Sequence, residues 1–340
     1  MLYLPDWWVF LLLANTSNKN DTRKVFEKIG GSHKGLVPEN CKYEHALVAG
    51  DKIWVFGRRH EDQKTFNWGH YVAYVGTYAI AFNTAENKWE DAKPFPAISN
   101  EENLDEKLFV HNGTPHMLLY AAFGSISLKS LYKWNVQSFD PISGWKKANV
   151  HLEIADSQDD NTKYIVTKMG RMRVARLTFA GDGAKAEHLF DIPIDDRERR
   201  FLGRATSAVV TGSRLLVFYS VRACGFRWTA ERIIACDLNS KNCEKLNINS
   251  DPRPPWVSGA RSHALLPSGS WIHAAGGIRK GLTRSEYDGS VWELNNLSSS
   301  PTWKKLGVEI PSNAEQIVID PAHGTIYIIG KTQVGKVKFA

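Results

Sequence analysis

Apolar and polar residues alternate along this chain in short runs, and the runs come in pairs. Tyr43 to Gly57 reads YEHALVAGDKIWVFG: an apolar run, a small polar turn, and a second apolar run ending in glycine. Arg204 to Ser220 (RATSAVVTGSRLLVFYS), Arg261 to Gly277 (RSHALLPSGSWIHAAGG) and Ala314 to Gly330 (AEQIVIDPAHGTIYIIG) repeat that shape. β-Branched and aromatic residues flanking a Gly- or Asp-containing turn specify a β-hairpin. A second hairpin pattern follows each first one, with a polar turn between an apolar strand and a strand that opens on a bulky residue with Lys or Glu. Tyr78 to Ala92 (YAIAFNTAENKWEDA), Tyr132 to Lys147, Ile233 to Leu246 (IIACDLNSKNCEKL) and Val291 to Leu306 carry it. No helical period is sustained over the dozen or so residues that a helix would need.

Two hairpins make one four-stranded antiparallel sheet. His45, Tyr164, Thr206, His263 and Gln316 are taken as equivalent first-strand positions, with one more near Leu108. They recur roughly 40 to 65 residues apart, a blade-sized period. The expected fold is all-β: a six-bladed β-propeller of four-stranded antiparallel blades over residues 22–340, with seven blades as the alternative. The last unit lacks an outer strand after Val334 to Ala340. Lys24 to Gly30 (KVFEKIG) resembles Lys88 to Lys93 and Thr302 to Leu306, and is expected to close the ring against the C-terminal strands. Closure removes sheet edges that would otherwise invite aggregation.

The unit around Arg261 ends its second strand on Gly276 and Gly277 and places Trp303 in its fourth. The first unit offers Phe56-Gly57, Phe82 and Trp89, and the second offers Phe139-Asp140-Pro141 and Trp145. The fourth has Cys236 and Cys243 at the two aromatic places, and Phe26 takes the Trp place in the closing strand. These residues resemble the repeats of the kelch-type β-propeller family in a degenerate form, weakest over residues 160–196. The resemblance implies structural repeat roles for Trp89, Trp145, Gly276, Gly277 and Trp303. The kelch class includes a copper oxidase and a bacterial sialic-acid epimerase, but the Tyr–Cys crosslink and metal ligands of the former cannot be assigned to residues of this chain.

The formal net charge of +7 comes without a stripe of Lys and Arg. The densest cluster, Arg197 to Arg204, reads as a solvated loop, so nucleic acid is not expected as a partner. The four cysteines, Cys41, Cys224, Cys236 and Cys243, are too few for a disulfide scaffold and show no C-x-x-C metal spacing. Cys236 and Cys243 fall opposite each other on one hairpin, where Cα atoms about 4.5–5.5 Å apart suit a disulfide. They are expected to be bonded in a secreted protein and free in a cytosolic one, and no Cys41–Cys224 bond is expected.

Trp7 to Ala14 (WWVFLLLA) is too short to span a bilayer and suits the hydrophobic region of a signal peptide over residues 1–16. Against that reading, Asp6 precedes the run and no Lys or Arg does. Secretion is the expected localisation and the cytoplasm the alternative. The sequons at Asn15, Asn20, Asn112 and Asn296 matter only in the secretory route, where they would make a glycoprotein.

No G-x-S-x-G elbow, phosphate-binding loop or H-E-x-x-H motif occurs, so no catalytic residue, metal or cofactor is assigned. His45 and His263 stand at matching places on innermost strands, either facing the channel or bonding a neighbouring blade. Three long second-to-third-strand loops carry Arg58, Arg59 and Trp68; Arg222, Arg227 and Trp228; and Arg279, Lys280 and Arg284. Arg beside Trp on one face suits carboxylates, acidic peptides or anionic glycans, or else forms an ordinary solvated rim. The leading functional expectation is a monomeric, non-enzymatic module that binds a protein or glycan. The alternative is a carbohydrate-active enzyme with its site at the channel mouth. The channel lining discriminates them: convergent carboxylates or a His/Tyr cluster with shifted pKa values favour the enzyme.

Overall fold

The computed structural model describes residues 24, 26–31, 41–60, 64–66, 69–71, 74–91, 93–95, 104–121, 128–134, 139–141, 153–157, 161–169, 171–181, 183–194, 202–222, 229–246, 254, 258–280, 285–295, 297, 300–330 and 333–339. Their regular structure is entirely β-strand. After β1 (Glu27–Gly30), the first sheet begins with β2 (Cys41–Ala49) and β3 (Lys52–His60). A small ribbon, β4 (Lys64–Phe66) and β5 (Gly69–Tyr71), follows in the connection to β6 (Tyr74–Asn83). The sheet is completed by β7 (Lys88–Trp89), with β8 (Lys93–Phe95) also paired to β6. The second sheet is β9 (Leu104–His111), β10 (Thr114–Ala121), β11 (Leu128–Trp134) and β12 (Phe139–Pro141).

The next two groups of strands are β13 (Glu153–Ser157), β14 (Thr162–Met169), β15 (Arg171–Ala180) and β16 (Gly183–Ile192), then β17 (Leu202–Thr211), β18 (Arg214–Arg222), β19 (Thr229–Asp237) and β20 (Cys243–Leu246). Each group is an antiparallel arm, and parallel pairing of β13 with β17 (Asp156 with Val209, Ser157 with Val210) joins the arms into one eight-stranded sheet. A four-stranded sheet follows: β21 (Ser258–Leu265), β22 (Trp271–Lys280), β23 (Ser285–Asn295) and β24 (Thr302–Lys305). The last sheet is β25 (Ala314–Asp320), β26 (Thr325–Gly330) and β27 (Val334–Lys338), completed by β1, which lies antiparallel on β27 with Glu27 opposite Lys336.

Both faces of inner strands such as β26 are buried, which is why they read as near-continuous apolar runs. On β3, Trp54 and Phe56 face Met117 of the second sheet, while Ile53 and Val55 face Val318, Tyr327 and Ile329 of the last. The same layering joins the second sheet to the first arm (Leu118 with Ile165) and the last two sheets to each other (Ala274 with Ile328). Tight turns permit the hairpins. Between β9 and β10, Asn112 (φ 48°) and Gly113 (φ 65°) are both left-handed, the backbone that a two-residue primed turn demands.

The expected all-β propeller with four-stranded antiparallel blades is present, and residues within Lys24–Gly30 do close it through β1. The expectation of six or seven separate blades is corrected: among the described residues the propeller has five sheets, because the strands read as third and fourth blades share one. Tyr164 was also misplaced as a first-strand residue, since it lies on β14. The first strand of that arm is β13 (EIADS), five residues with too few apolar positions to stand out. Phe139-Asp140-Pro141 is the outer strand β12 rather than a third strand.

Phe82 and Trp89 are opposed across β6 and β7 with ring centroids 5.2 Å apart, and Trp303 is buried. Trp145 lies outside the described residues. Cys236 and Cys243 are directly opposed on β19 and β20 and form a disulfide. Among the described residues no helix is long and apolar enough to cross a membrane.

Candidate active site

The first strands of the sheets and arms come together at the centre: β25 touches β2 and β21, β2 touches β9, and β13 touches both β17 and β21. Charged side chains converge there from three of them. Lys107 Nζ on β9 donates a hydrogen bond to Glu153 Oε2 on β13 at 2.9 Å, and both residues are half-buried. Arg261 stands on β21, and the charges of Arg261 and Lys107 both act on His263 of that strand.

Bulges interrupt three of the first strands. The register slips at Glu44 on β2, between Tyr43 and His45, and at Glu315 on β25, between Ala314 and Gln316. A bulge re-aims a side chain out of the regular alternation, and such irregularities gather beside active sites. β17 slips at the corresponding place, between Ala205 and Ser207. Glu44, Glu153 and Glu315 are thus among the carboxylate-bearing positions on first strands of the ring. Among the described residues no group of His, Cys, Asp and Glu could hold a metal ion.

Beside the charged cluster lies a buried aromatic stack. His263 and His273 are opposed across β21 and β22, and their Nδ1 atoms are 3.0 Å apart. Trp271 stacks on His263, with centroids 4.9 Å apart and planes 6° from parallel, and on Phe218 of β18 at 3.7 Å. His263 Nε2 is buried without a hydrogen-bond partner. Burial first, then the neighbouring His273 and the charges of Arg261 and Lys107, hold the His263 pKa well below the usual imidazole range. Burial and Arg261 push His273 down to about 4. Both rings are therefore neutral near pH 7, and one proton lies between the two Nδ1 atoms.

The expected equivalence of His45 and His263 does not hold. His263 alternates with Leu265, which packs toward the preceding β17–β20 arm. His45 alternates with Leu47 and Ala49, which pack toward the following sheet. A slip of one residue between units reverses the face a side chain takes, so the matched letters His-Ala-Leu describe opposite faces. His263 belongs to the layer between sheets, where it bonds its own sheet's His273.

Of the loop residues singled out from sequence, Arg58 and Arg59 end β3, Arg222 ends β18, and Arg279 and Lys280 end β22. Their backbones thus occupy corresponding ends of three second strands. Trp68, Arg227, Trp228 and Arg284 lie outside the described residues, as do Asn15, Asn20, Asn296 and the apolar run at 7–14. Asn112 is exposed at the β9–β10 turn. Lys107, Glu153, Arg261 and His273 were missed in the sequence. The pairing of Lys107 with Glu153 spans 46 residues and joins two sheets, so no local pattern marks it.

The architecture defines a β-propeller, and solved structures of that class match it along almost the whole chain. The α-L-arabinanase of Penicillium chrysogenum, complexed with arabinobiose, superposes with a TM-score of 0.52 and 10% identity over 93% of this chain and 98% of that one. The α-L-arabinofuranosidase of Fusarium graminearum, also with arabinobiose, gives a TM-score of 0.53 and 10% identity over 93% of this chain and 96% of that one. No family profile matches the sequence, so a propeller is shown and kelch membership is not. No curated protein matches it either. The preference for a non-enzymatic binding module is corrected by these neighbours, which are carbohydrate-active enzymes.

Proposed function

We propose that this chain is a carbohydrate-active enzyme that hydrolyses arabinose-containing oligosaccharides at the channel mouth. The observation that carries the reading is the Lys107–Glu153 pair, brought together from two first strands beside Arg261. Glycoside hydrolysis needs two carboxyl groups flanking the scissile bond, one as acid and one as base or nucleophile. Glu153 is proposed as one. Lys107 engages its Oε2 and fixes the carboxylate, so that the other oxygen can act on substrate. Glu44 and Glu315, at the bulges of β2 and β25, are the candidates for the second. Arg261 and Lys107 supply positive charge and hydrogen-bond donors for sugar oxygens. The sugar class is taken from the arabinobiose complexes of the two structural neighbours.

The basic ends of β3, β18 and β22 are proposed to form part of the rim that a glycan chain crosses. A kelch-like description is kept for the β21–β24 sheet alone, where Gly276, Gly277 and Trp303 stand. The Cys236–Cys243 disulfide supports an oxidising compartment, and we place the protein in the secretory route on that basis. The test is release of reducing sugar from arabinan and arabino-oligosaccharides by the wild type and by Glu153→Gln. The variant should lose at least about a hundredfold in turnover, the lower end of what a positioned general acid or base contributes. A wild type that releases nothing, or a variant as active as the wild type, refutes the assignment.

A further inference from the structure

One exposed aromatic position lies on the sheet whose innermost strand carries Arg261. Ser258, Ile278 and Tyr287 are in register across β21, β22 and β23, forming a row that leads outward from the start of the innermost strand. Ile278 is 49% exposed and Tyr287 38%, the large apolar side chains most open to solvent among the described residues.

Tyr287 is exposed but fixed. Its hydroxyl donates to the carbonyls of Ile310 and Pro311, each at 2.9 Å. Its ring lies over the cross-strand pair Gly276 and Gly289, where a Cβ would come within 2.5 Å and 2.8 Å of the Tyr287 hydroxyl. The glycines therefore make room for this ring, and the segment at Ile310 clamps it. Burial, then the charges of Glu309 and Asp288, push the hydroxyl up to about 12, so it remains a donor at any physiological pH. Glu309 comes from the clamping segment itself, whereas Asp288 and Glu286 alternate to the other face of β23.

A rigid aromatic ring beside an aliphatic side chain, with the Glu309 carboxylate acting on its hydroxyl, suits a neutral polyhydroxylated ring. The apolar C–H face of a sugar can cover Tyr287 and Ile278 while a hydroxyl donates to Glu309. An anionic sugar would meet like charge. A ring already immobilised adds little ordering cost on binding.

We infer that Ile278 and Tyr287 form an outlying subsite for a neutral sugar unit of an oligosaccharide whose other end occupies the channel mouth. The inference rests on the carbohydrate reading of that mouth. It is tested by calorimetric binding of arabinobiose and arabinohexaose to the full chain. In the wild type the hexaose should bind about tenfold more tightly than the biose. Ile278→Asp, a surface change, should abolish that gain and leave biose binding unchanged. Tyr287→Phe, which keeps the ring, should retain most of the gain, whereas Tyr287→Ala should lose it. Biose binding without a length gain, or a gain that survives Ile278→Asp, overturns the subsite and leaves the channel reading standing. A wild type that binds neither sugar overturns both.

Discussion

Lowering the pH from about 7 to about 4 should destabilise the layer between the β17–β20 arm and the β21–β24 sheet, through the histidine pair buried there. His263 and His273 are neutral in the fold and share one proton between Nδ1 atoms 3.0 Å apart. Charging the pair would set two N–H groups against each other, close to the cations Arg261 and Lys107 and within the rings of Trp271, Phe218 and Trp303. In the unfolded chain both imidazoles titrate near 6.5, whereas in the fold His273 titrates at about 4.

The unfolded state therefore binds more protons between those two values, and stability rises with pH across that window. The contribution is fully present above about 6.5 and is lost as pH falls to about 4. At ~1.4 kcal/mol per tenfold, His273 alone accounts for about 3 kcal/mol, and His263 acts in the same direction. The pair titrates as a unit, so the macroscopic transition belongs to both rings. The assay is urea unfolding followed by tryptophan fluorescence at steps of pH. The wild type should be compared with the double variant His263→Phe/His273→Leu, whose apolar side chains cannot charge. The difference between the two should shrink in favour of the variant by about 3 kcal/mol across the window. Parallel pH profiles for the two proteins would refute the reasoning.

Two further predictions concern stability. The Cys236–Cys243 bond closes a loop of sequence separation 7. Cys236→Ser/Cys243→Ser, or reduction, should cost about 2.5 kcal/mol in the chain-entropy picture, read as a lower denaturation midpoint, and an unchanged midpoint would contradict it. Gly289→Ala places a Cβ 2.1 Å from the Ile310 carbonyl oxygen, which is backbone and cannot swing aside. It should cost about 1–3 kcal/mol as an overpacked site. The matching control is Gly212→Ser, since space is open there and its φ of 59° supplies a different, backbone penalty.

Much of the fold was legible because the inner strands are buried on both faces, so hairpins such as Tyr43–Gly57 stand out as apolar runs around a turn. The β1–β27 closure was legible by elimination, since one sheet lacked a strand. The Cys236–Cys243 bond was legible because seven residues across one hairpin fix the opposition of the two side chains. What failed was register and edge pairing. His45 and His263 share their letters but face opposite neighbours. β13 was overlooked because Glu153–Ser157 gives a weak apolar signal, and its parallel pairing with β17 leaves no trace in either strand's own pattern.

The amino-acid sequence by itself determined that this protein is a ring of antiparallel β units, where the chain turns, and which cysteines meet, because these depend on alternation and short-range spacing. The tertiary structure decided that two arms share a sheet and that Lys107 meets Glu153 beside Arg261. It also decided that glycines at 276 and 289 make room for an exposed, clamped Tyr287. Each of those depends on strands far apart in the chain arriving at one place, and pairing between distant strands is set by how the sheets pack around the centre.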